Sequence, residues 1–292
     1  MKVRKLVEMY LRNSDLKGNS PRTAVGYRGR LRLFLEEFGE RKLKSITLDE
    51  LIEHFHRTSV GLSPTTQRQN IIQVEQVMKF AIDRDKLKDR WWKRGQIIKP
   101  KALGREAIPT IEQFTQMLSV MREDAKPIVR SLWLTGARPG ELCAADVRNL
   151  EGPAAEMLIV LAQHKTARKT GMKREIILSP AAESIVVASI AERAEGSIFL
   201  TTTGRSWRVD RLSREFRRCR DHFGFSKQIV LYSLRHATAS MMIDSGADIS
   251  EVKVALGHTD IGTTQRYVHP DKRKVRRSVM RIADVNPLKA AG

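Results

Sequence analysis

Along most of this chain apolar residues recur at intervals of three and four, and this helical period constrains the fold more than any other feature. Four such stripes follow one another in the first ninety residues: Val3, Leu6, Val7, Tyr10 and Leu11; Val25, Leu31, Phe34, Leu35 and Phe38; Leu48, Leu51, Ile52 and Phe55; Ile71, Val74, Val77, Met78 and Ala81. Start signals separate them. Thr47-Leu48-Asp49-Glu50 is a capping box, in which Thr and Glu side chains satisfy the free amides of a first helical turn. Ser63-Pro64 places proline at a first helical position, where its missing N–H is not needed. Residues 1–90 are therefore expected to form a small helical domain.

From 89 to 109 the period fails. Trp91, Trp92, Gly95, Pro100, Gly104 and Pro109 interrupt any long helix, and Lys93, Arg94, Lys99, Lys101 and Arg105 make the stretch basic. Residues 91–109 read as an interdomain linker, laid across a phosphate backbone or solvated, with the paired tryptophans packed against a domain. A second capping box, Thr110-Ile111-Glu112-Gln113, opens a domain expected over 110–275. Ile128, Leu132, Trp133 and Leu134 predict a buried helix ended by Gly136. The runs 157–161 and 175–178 are β-prone and flank a polar, glycine-containing turn, which predicts a hairpin. Ser179-Pro180 opens a helix, and 207–223 carries Val209, Leu212 and Phe216 amid seven basic residues. The expected fold class is mainly α: a helical N-terminal domain, then a mixed, mostly α C-terminal domain with a small β-hairpin or sheet. A basic tail follows over 276–292.

Charge narrows the partner. Lys and Arg number 53 against 33 Asp and Glu, a formal net charge of +20, which points to a polyanion and first to nucleic acid. Cys143 and Cys219 have no Cys or His at metal-ligand spacing, so no metal site is expected, and both read as reduced thiols of a cytoplasmic protein. No apolar run approaches the roughly 18 residues of a membrane span, so no membrane partner is expected.

Chemistry concentrates in a few words of sequence. Thr135-Gly136-Ala137-Arg138-Pro139-Gly140-Glu141-Leu142 carries one arginine, and Leu231-Tyr232-Ser233-Leu234-Arg235-His236 carries a second. Leu256-Gly257-His258 and Thr263-Thr264-Gln265-Arg266-Tyr267-Val268-His269 follow. A guanidinium offers two parallel charge-assisted bonds to a phosphodiester, a His exchanges a proton, and a Tyr can be a nucleophile. A phenol ordinarily titrates near about 10, so Tyr267 needs a positive surround or a base, and Arg138, Arg235 and the basic hairpin offer the first. Alternative readings are a surface salt bridge for either arginine, with Glu141 a ready partner of Arg138, and a helix-capping His258.

In order and spacing these residues resemble the tyrosine recombinase, or phage integrase, family, over most of the chain. Any one word alone is weak; together, in a basic chain of this length, they form a strong signal. The resemblance implies that Arg138 and Arg235 grip the scissile phosphate, that His258 contacts it or exchanges a proton, that Tyr267 attacks, and that Glu141 holds the site together. It also implies a general-acid lysine in the hairpin turn. Counting forward from Glu141 favours Lys165, and counting back from Arg174 favours Lys169; insertions fall most easily in turns, so Lys165 is preferred. Tyr232 departs from the family pattern, which usually has His three residues before the second arginine. A phenol still donates one hydrogen bond to phosphate but carries no positive charge. His236 and His269 match family letters and are assigned no chemistry.

The implied activity is that of a site-specific recombinase or integrase that cleaves and rejoins duplex DNA through a 3′-phosphotyrosyl intermediate. It implies no metal, nucleotide or other cofactor and no small-molecule substrate. Two domains forming a C-shaped clamp on DNA, and a homotetramer on paired recombination sites, are implied too. DNA contacts are expected from Lys93, Arg94, Lys99 and Lys101 of the linker and from Arg208, Arg211, Arg214 and Arg218 of the basic helix. Residues 1–90 resemble the family's core-binding domain, and no room is expected for the additional arm-site domain of some phage integrases. That favours a simple recombinase, like chromosome-dimer resolvases or compact mobile-element integrases. Two alternatives stay open: a catalytically weakened DNA-binding protein, for which Tyr232 argues, and a type IB topoisomerase-like nicking-closing enzyme.

Overall fold

The computed structural model describes residues 1–16, 18, 21–93, 97–101, 107–162 and 171–258. The chain divides into two compact units, Met1–Gly104 and Arg105–Gly292. The fold is mainly α in both.

The first unit holds α1 (Val3–Leu16), α2 (Pro21–Phe38), α3 (Leu48–Thr58) and α4 (Pro64–Ile82). Its caps follow from side-chain chemistry. The Thr47 hydroxyl accepts the Glu50 N–H at 3.3 Å while the Glu50 carboxylate accepts the Thr47 N–H at 2.9 Å. The Ser63 hydroxyl accepts the Thr66 N–H at 3.3 Å, ahead of Pro64. Leu6, Leu31, Phe34, Phe38, Val77 and Met78 fill the core. Trp92 joins them, 1% exposed.

Two stripe positions depart from the sequence reading. Val25 is 64% exposed, and Ala24 takes the inward place at 4%. At about 100° per residue, Ala24, seven before Leu31, lies within about 20° of it, whereas Val25 lies about 120° away. Ile52 is 40% exposed beside the buried Leu51 and Phe55.

The second unit contains α5 (Ile111–Ser119), α6 (Lys126–Thr135), α7 (Pro139–Ala144), β1 (Leu150–Glu151), β2 (Leu158–Leu161), β3 (Arg174–Ile177), α8 (Pro180–Ile190), α9 (Val209–His222), α10 (Ser233–Asp244) and α11 (Ile249–Leu256). The strands form an antiparallel sheet in the order β1-β2-β3, in which Leu158 pairs with Ile177 and Leu161 with Arg174. The hairpin is thus widened by β1, whose two residues are too few to show a strand pattern in sequence. Ile128, Leu132, Ile159, Ile176, Leu212 and Phe216 meet in the core.

Alternation along β3 buries Arg174 and Ile176 and exposes Glu175 and Ile177. Side chains two apart share a face of a strand, so Arg174 faces inward with Ile176. On α9, Leu212, Phe216 and Cys219 form the buried stripe, and most of the basic residues lie outside it. Arg220 is the exception: it is buried and donates to the carbonyls of Lys227 and Ile229, both at 3.0 Å, so its charge serves the fold. Among the described residues no helix is long and apolar enough to cross a membrane, and no cluster of three His, Cys, Asp or Glu is placed to hold a metal ion.

Candidate active site

Three helix ends converge in the second unit. Helix α6 closes at Gly136, whose left-handed φ of +61° suits glycine, and whose N–H returns to the Leu132 carbonyl at 3.0 Å. A Cβ at Gly136 would lie 2.6 Å from Leu256 Cδ2 and 3.2 Å from Thr238 Cβ, so α6, α10 and α11 meet where a side chain does not fit. Thr238 secures the contact by donating from Oγ1 to the Trp133 carbonyl at 2.7 Å.

Arg235 lies in the first turn of α10, only 1% exposed. Its Nη1 donates to the Gly136 carbonyl at 2.8 Å and its Nη2 to the Leu256 carbonyl at 2.6 Å. Both acceptors sit at helix C-terminal ends, where carbonyls lack intrahelical partners and partial negative charge accumulates. Its buried Nε has no acceptor among the described residues. Burial, with the positive charge of Arg138 adding to it, pushes the Arg235 guanidinium down to about 10, still protonated at neutral pH.

Arg138 immediately precedes α7. Its Nη1 donates to Glu141 Oε1 at 2.6 Å, its backbone N–H donates to Glu141 Oε2 at 2.9 Å, and its Nη2 reaches the Gly257 carbonyl at 3.2 Å. Glu141 is buried, 5% exposed. Burial favours its neutral form, but the bonds from Arg138 and the charges of Arg138 and Arg174 outweigh that and hold its carboxyl below the usual range. The stabilisation it supplies is therefore present at neutral pH and is lost as pH falls through that lowered range.

His258 follows a Schellman turn. The Gly257 N–H bonds the Val254 carbonyl at 2.9 Å, the His258 N–H bonds the Lys253 carbonyl at 2.9 Å, and Gly257 has φ +64°. His258 is itself buried, 8% exposed. The turn is thus fixed by α11 on one side and by Arg138 on the other.

The structure therefore brings Arg138, Glu141, Arg235 and the His258 turn together. Tyr232 stands at the start of α10, three residues before Arg235, 42% exposed and edge-on to the His236 ring at 5.2 Å. Lys165, Lys169 and Tyr267 lie outside the described residues, as do Arg94 and the 276–292 tail. Of the other basic residues, Lys99 pairs with Glu75 at 2.7 Å, and Lys93 and Lys101 are exposed in the first unit. Arg208 and Arg214 both approach Asp210, at 3.1 and 3.6 Å. Arg218 pairs with Glu215 at 2.6 Å, and Arg211 is exposed. Arg122, Trp207, Arg211, Arg214 and Arg218 line an open groove.

The sequence reading used Arg174 only to count register. In the structure it belongs to the cluster, 4% exposed, with Nη2 donating to the Ala255 carbonyl at 2.7 Å and Nε 3.7 Å from Glu141 Oε2. The signal was available: stepping back by two from the inward Ile176 lands on Arg174. Burial lowers the Arg174 pKa, with Glu141 opposing that shift. Among the described residues, three guanidinium groups, of Arg138, Arg174 and Arg235, thus surround one buried carboxylate, Glu141, with the Glu175 side chain exposed, and the excess of positive charge suits an anion.

Comparison with known proteins bears on what that anion is. The sequence pattern of the "Phage integrase family" matches residues 108–274. The tyrosine recombinase XerA of Thermococcus onnurineus is 26% identical over 284 residues, covering 94% of each chain. The tyrosine recombinase XerC of Mycobacterium tuberculosis is 25% identical over 282 residues, 89% of this chain and 91% of that protein. The fold resembles the Tn1549 transposon integrase in complex with a circular intermediate DNA, with TM-score 0.78 at 18% identity over 96% of this chain and 99% of that one. It also resembles a lambda integrase tetramer bound to a Holliday junction, with TM-score 0.74 at 16% identity over 89% and 78%.

The helix end before His258 yields a stability prediction. A Cβ at Gly257 meets Arg174 Cδ and Nε at 2.8 Å, and a left-handed φ penalises any side chain. Gly257→Ala is expected to lower unfolding free energy by about 1–3 kcal/mol, measured by urea unfolding. Unchanged stability would show that neither the turn nor the Arg174 packing is tight.

Proposed function

The chain belongs to the phage integrase family, enzymes of DNA recombination, and we propose that it is a site-specific recombinase that cuts and reseals duplex DNA through a tyrosine. The observation that carries this reading is the buried cluster in which Arg138 and Arg235 are held by fixed carbonyls and one carboxylate, with positive charge in excess. Preset cations cost no reorganisation when charge builds on the non-bridging oxygens of a pentacoordinate phosphorus, so they stabilise the transition state more than the ground state.

The Tyr267 oxygen attacks the scissile phosphorus. A tyrosyl O–P bond forms, the bond from phosphorus to the 5′ oxygen breaks, and that oxygen takes a proton from Lys165, with Lys169 the alternative donor. A 3′-phosphotyrosyl link stores the phosphodiester energy until a 5′-hydroxyl of the partner strand reverses the step. The reaction needs no metal, nucleotide or other cofactor, because each transesterification is undone by another. Glu141 orients Arg138, and His258 contacts the phosphate or exchanges the phenolic proton. Tyr232 donates to a phosphate oxygen; its exposure beside the buried Arg235 supports that role.

Residues 1–90 serve as the core-binding domain, 91–109 as linker and 110–275 as the catalytic domain. Lys93, Arg94, Lys99, Lys101, Arg208, Arg211, Arg214 and Arg218 supply backbone contacts. Of these, Lys99, Arg208, Arg214 and Arg218 must exchange a carboxylate partner for phosphate. A homotetramer on paired sites is supported by the lambda integrase assembly.

Two variants test this. Tyr267→Phe is expected to bind DNA normally and to form no covalent adduct with a nicked suicide substrate on a denaturing gel; an adduct at parental yield contradicts the assignment. Tyr232→Phe keeps the ring and loses the donor, which costs on the order of 1.5–3 kcal/mol toward a charged group, or roughly ten- to a hundred-fold in cleavage rate. A parental rate in single-turnover cleavage would make Tyr232 a packing residue.

A further inference from the structure

Arg174 joins parts of the cluster that no other side chain connects among the described residues. It opens β3, the strand that returns from the hairpin turn, and its inward register carries it to the end of α11. There Nη2 donates to the Ala255 carbonyl at 2.7 Å, Nη1 donates to the Glu175 carbonyl of its own strand at 2.6 Å, and Val254 lies at 3.4 Å. Nε is buried without a hydrogen bond among the described residues, 3.7 Å from Glu141 Oε2. The stem packs on Gly257 closely enough to leave no room for a Cβ.

Packing alone does not explain a charge in this position. An apolar side chain of similar length fills the space between β3 and α11 without the desolvation that a buried guanidinium suffers, and the bonds to the Ala255 and Glu175 carbonyls require donors there but not a cation beside Glu141. Charge arithmetic supplies the reason. Glu141 touches Arg138 at 2.6 Å and, left with that partner, cancels its charge at contact distance. Arg174 approaches the other carboxylate oxygen. Among the described buried groups, Arg138, Arg174 and Arg235 against Glu141 leave two positive charges in excess with it and one without it.

Resting on the phosphate-site reading above, we propose that Arg174 is a positioning residue of that site: it offsets Glu141, so that Arg138 keeps charge for the phosphodiester, and it fixes the α11 end from which His258 follows. It touches no phosphate itself. It ties the strand leaving the hairpin turn, the turn before His258 and the carboxylate beside Arg138 into one rigid unit.

The test measures inorganic phosphate affinity of the full chain by NMR titration of arginine Nε–H signals, with thermal unfolding run in parallel. Arg174→Met is expected to bind phosphate about tenfold more weakly, and Arg174→Lys, which keeps the charge, within about threefold of the parent. The double variant Arg174→Met with Glu141→Gln removes the cation and the anion it offsets, and is expected to recover to within about threefold of the parent. A purely structural Arg174 predicts no recovery, since the lost packing is the same. A double variant as weak as Arg174→Met, a parental Arg174→Met, or a folded Arg174→Lys as weak as the expected Met variant overturns the proposal. The Lys and double variants decide it alone should Arg174→Met not fold. Arg235→Ala separates this inference from the reading beneath it. Parental phosphate affinity in Arg235→Ala rejects the phosphate site, whereas loss there with none in Arg174→Met rejects only the role of Arg174.

Discussion

The grip of Arg235 on the carbonyls of Gly136 and Leu256 is the interaction around which the second unit is arranged. Helix C-termini leave carbonyls without partners, and here two such ends are satisfied by one buried guanidinium from the first turn of a third helix. Because a guanidinium is planar and bonds in fixed directions, the two bonds set where α6 and α11 stop relative to α10. Gly136 is the steric counterpart, since a side chain there meets Leu256 and Thr238. A lysine at 235 retains the charge without the fork, and so satisfies one helix end at a time.

From that anchor the electrostatics follow. Arg138 leaves α6 two residues after Gly136 and reaches the Gly257 carbonyl, so α11 is held at adjacent residues by two arginines. Among the described residues Glu141 is the one buried carboxylate within this group, ionised despite its burial because hydrogen bonds from Arg138 and nearby guanidinium charge outweigh desolvation. It fixes Arg138 without neutralising the whole cluster, and burial, with the charge of Arg138 adding to it, holds the Arg235 pKa below that of a free arginine. A preorganised site with surplus positive charge suits a reaction in which negative charge grows on phosphate oxygens.

Much of this was legible in the chain. Capping boxes at Thr47 and Thr110 and Pro64 after Ser63 mark helix starts by local chemistry, and the helices begin there. Arg138, Glu141, Arg235 and His258 were picked out from short words of sequence, and the fold gathers them across more than one hundred residues. What escaped depends on tertiary geometry. Val25 belongs to an apolar stripe by composition but lies off the buried face by angle. β1 is two residues long and becomes a strand only beside β2. Arg174 looks like one more basic residue of a polar turn; its burial follows from strand alternation, and its partners come from α11, some eighty residues on.

Crystals of the protein soaked in tungstate and measured at the tungsten absorption edge show whether Arg138 and Arg235 frame a phosphate. An anomalous peak within hydrogen-bonding distance of both guanidinium groups is expected in the parent, with its loss in Arg235→Ala. Tungstate confined to the arginine groove along α9, with none at Arg138 and Arg235, would contradict it.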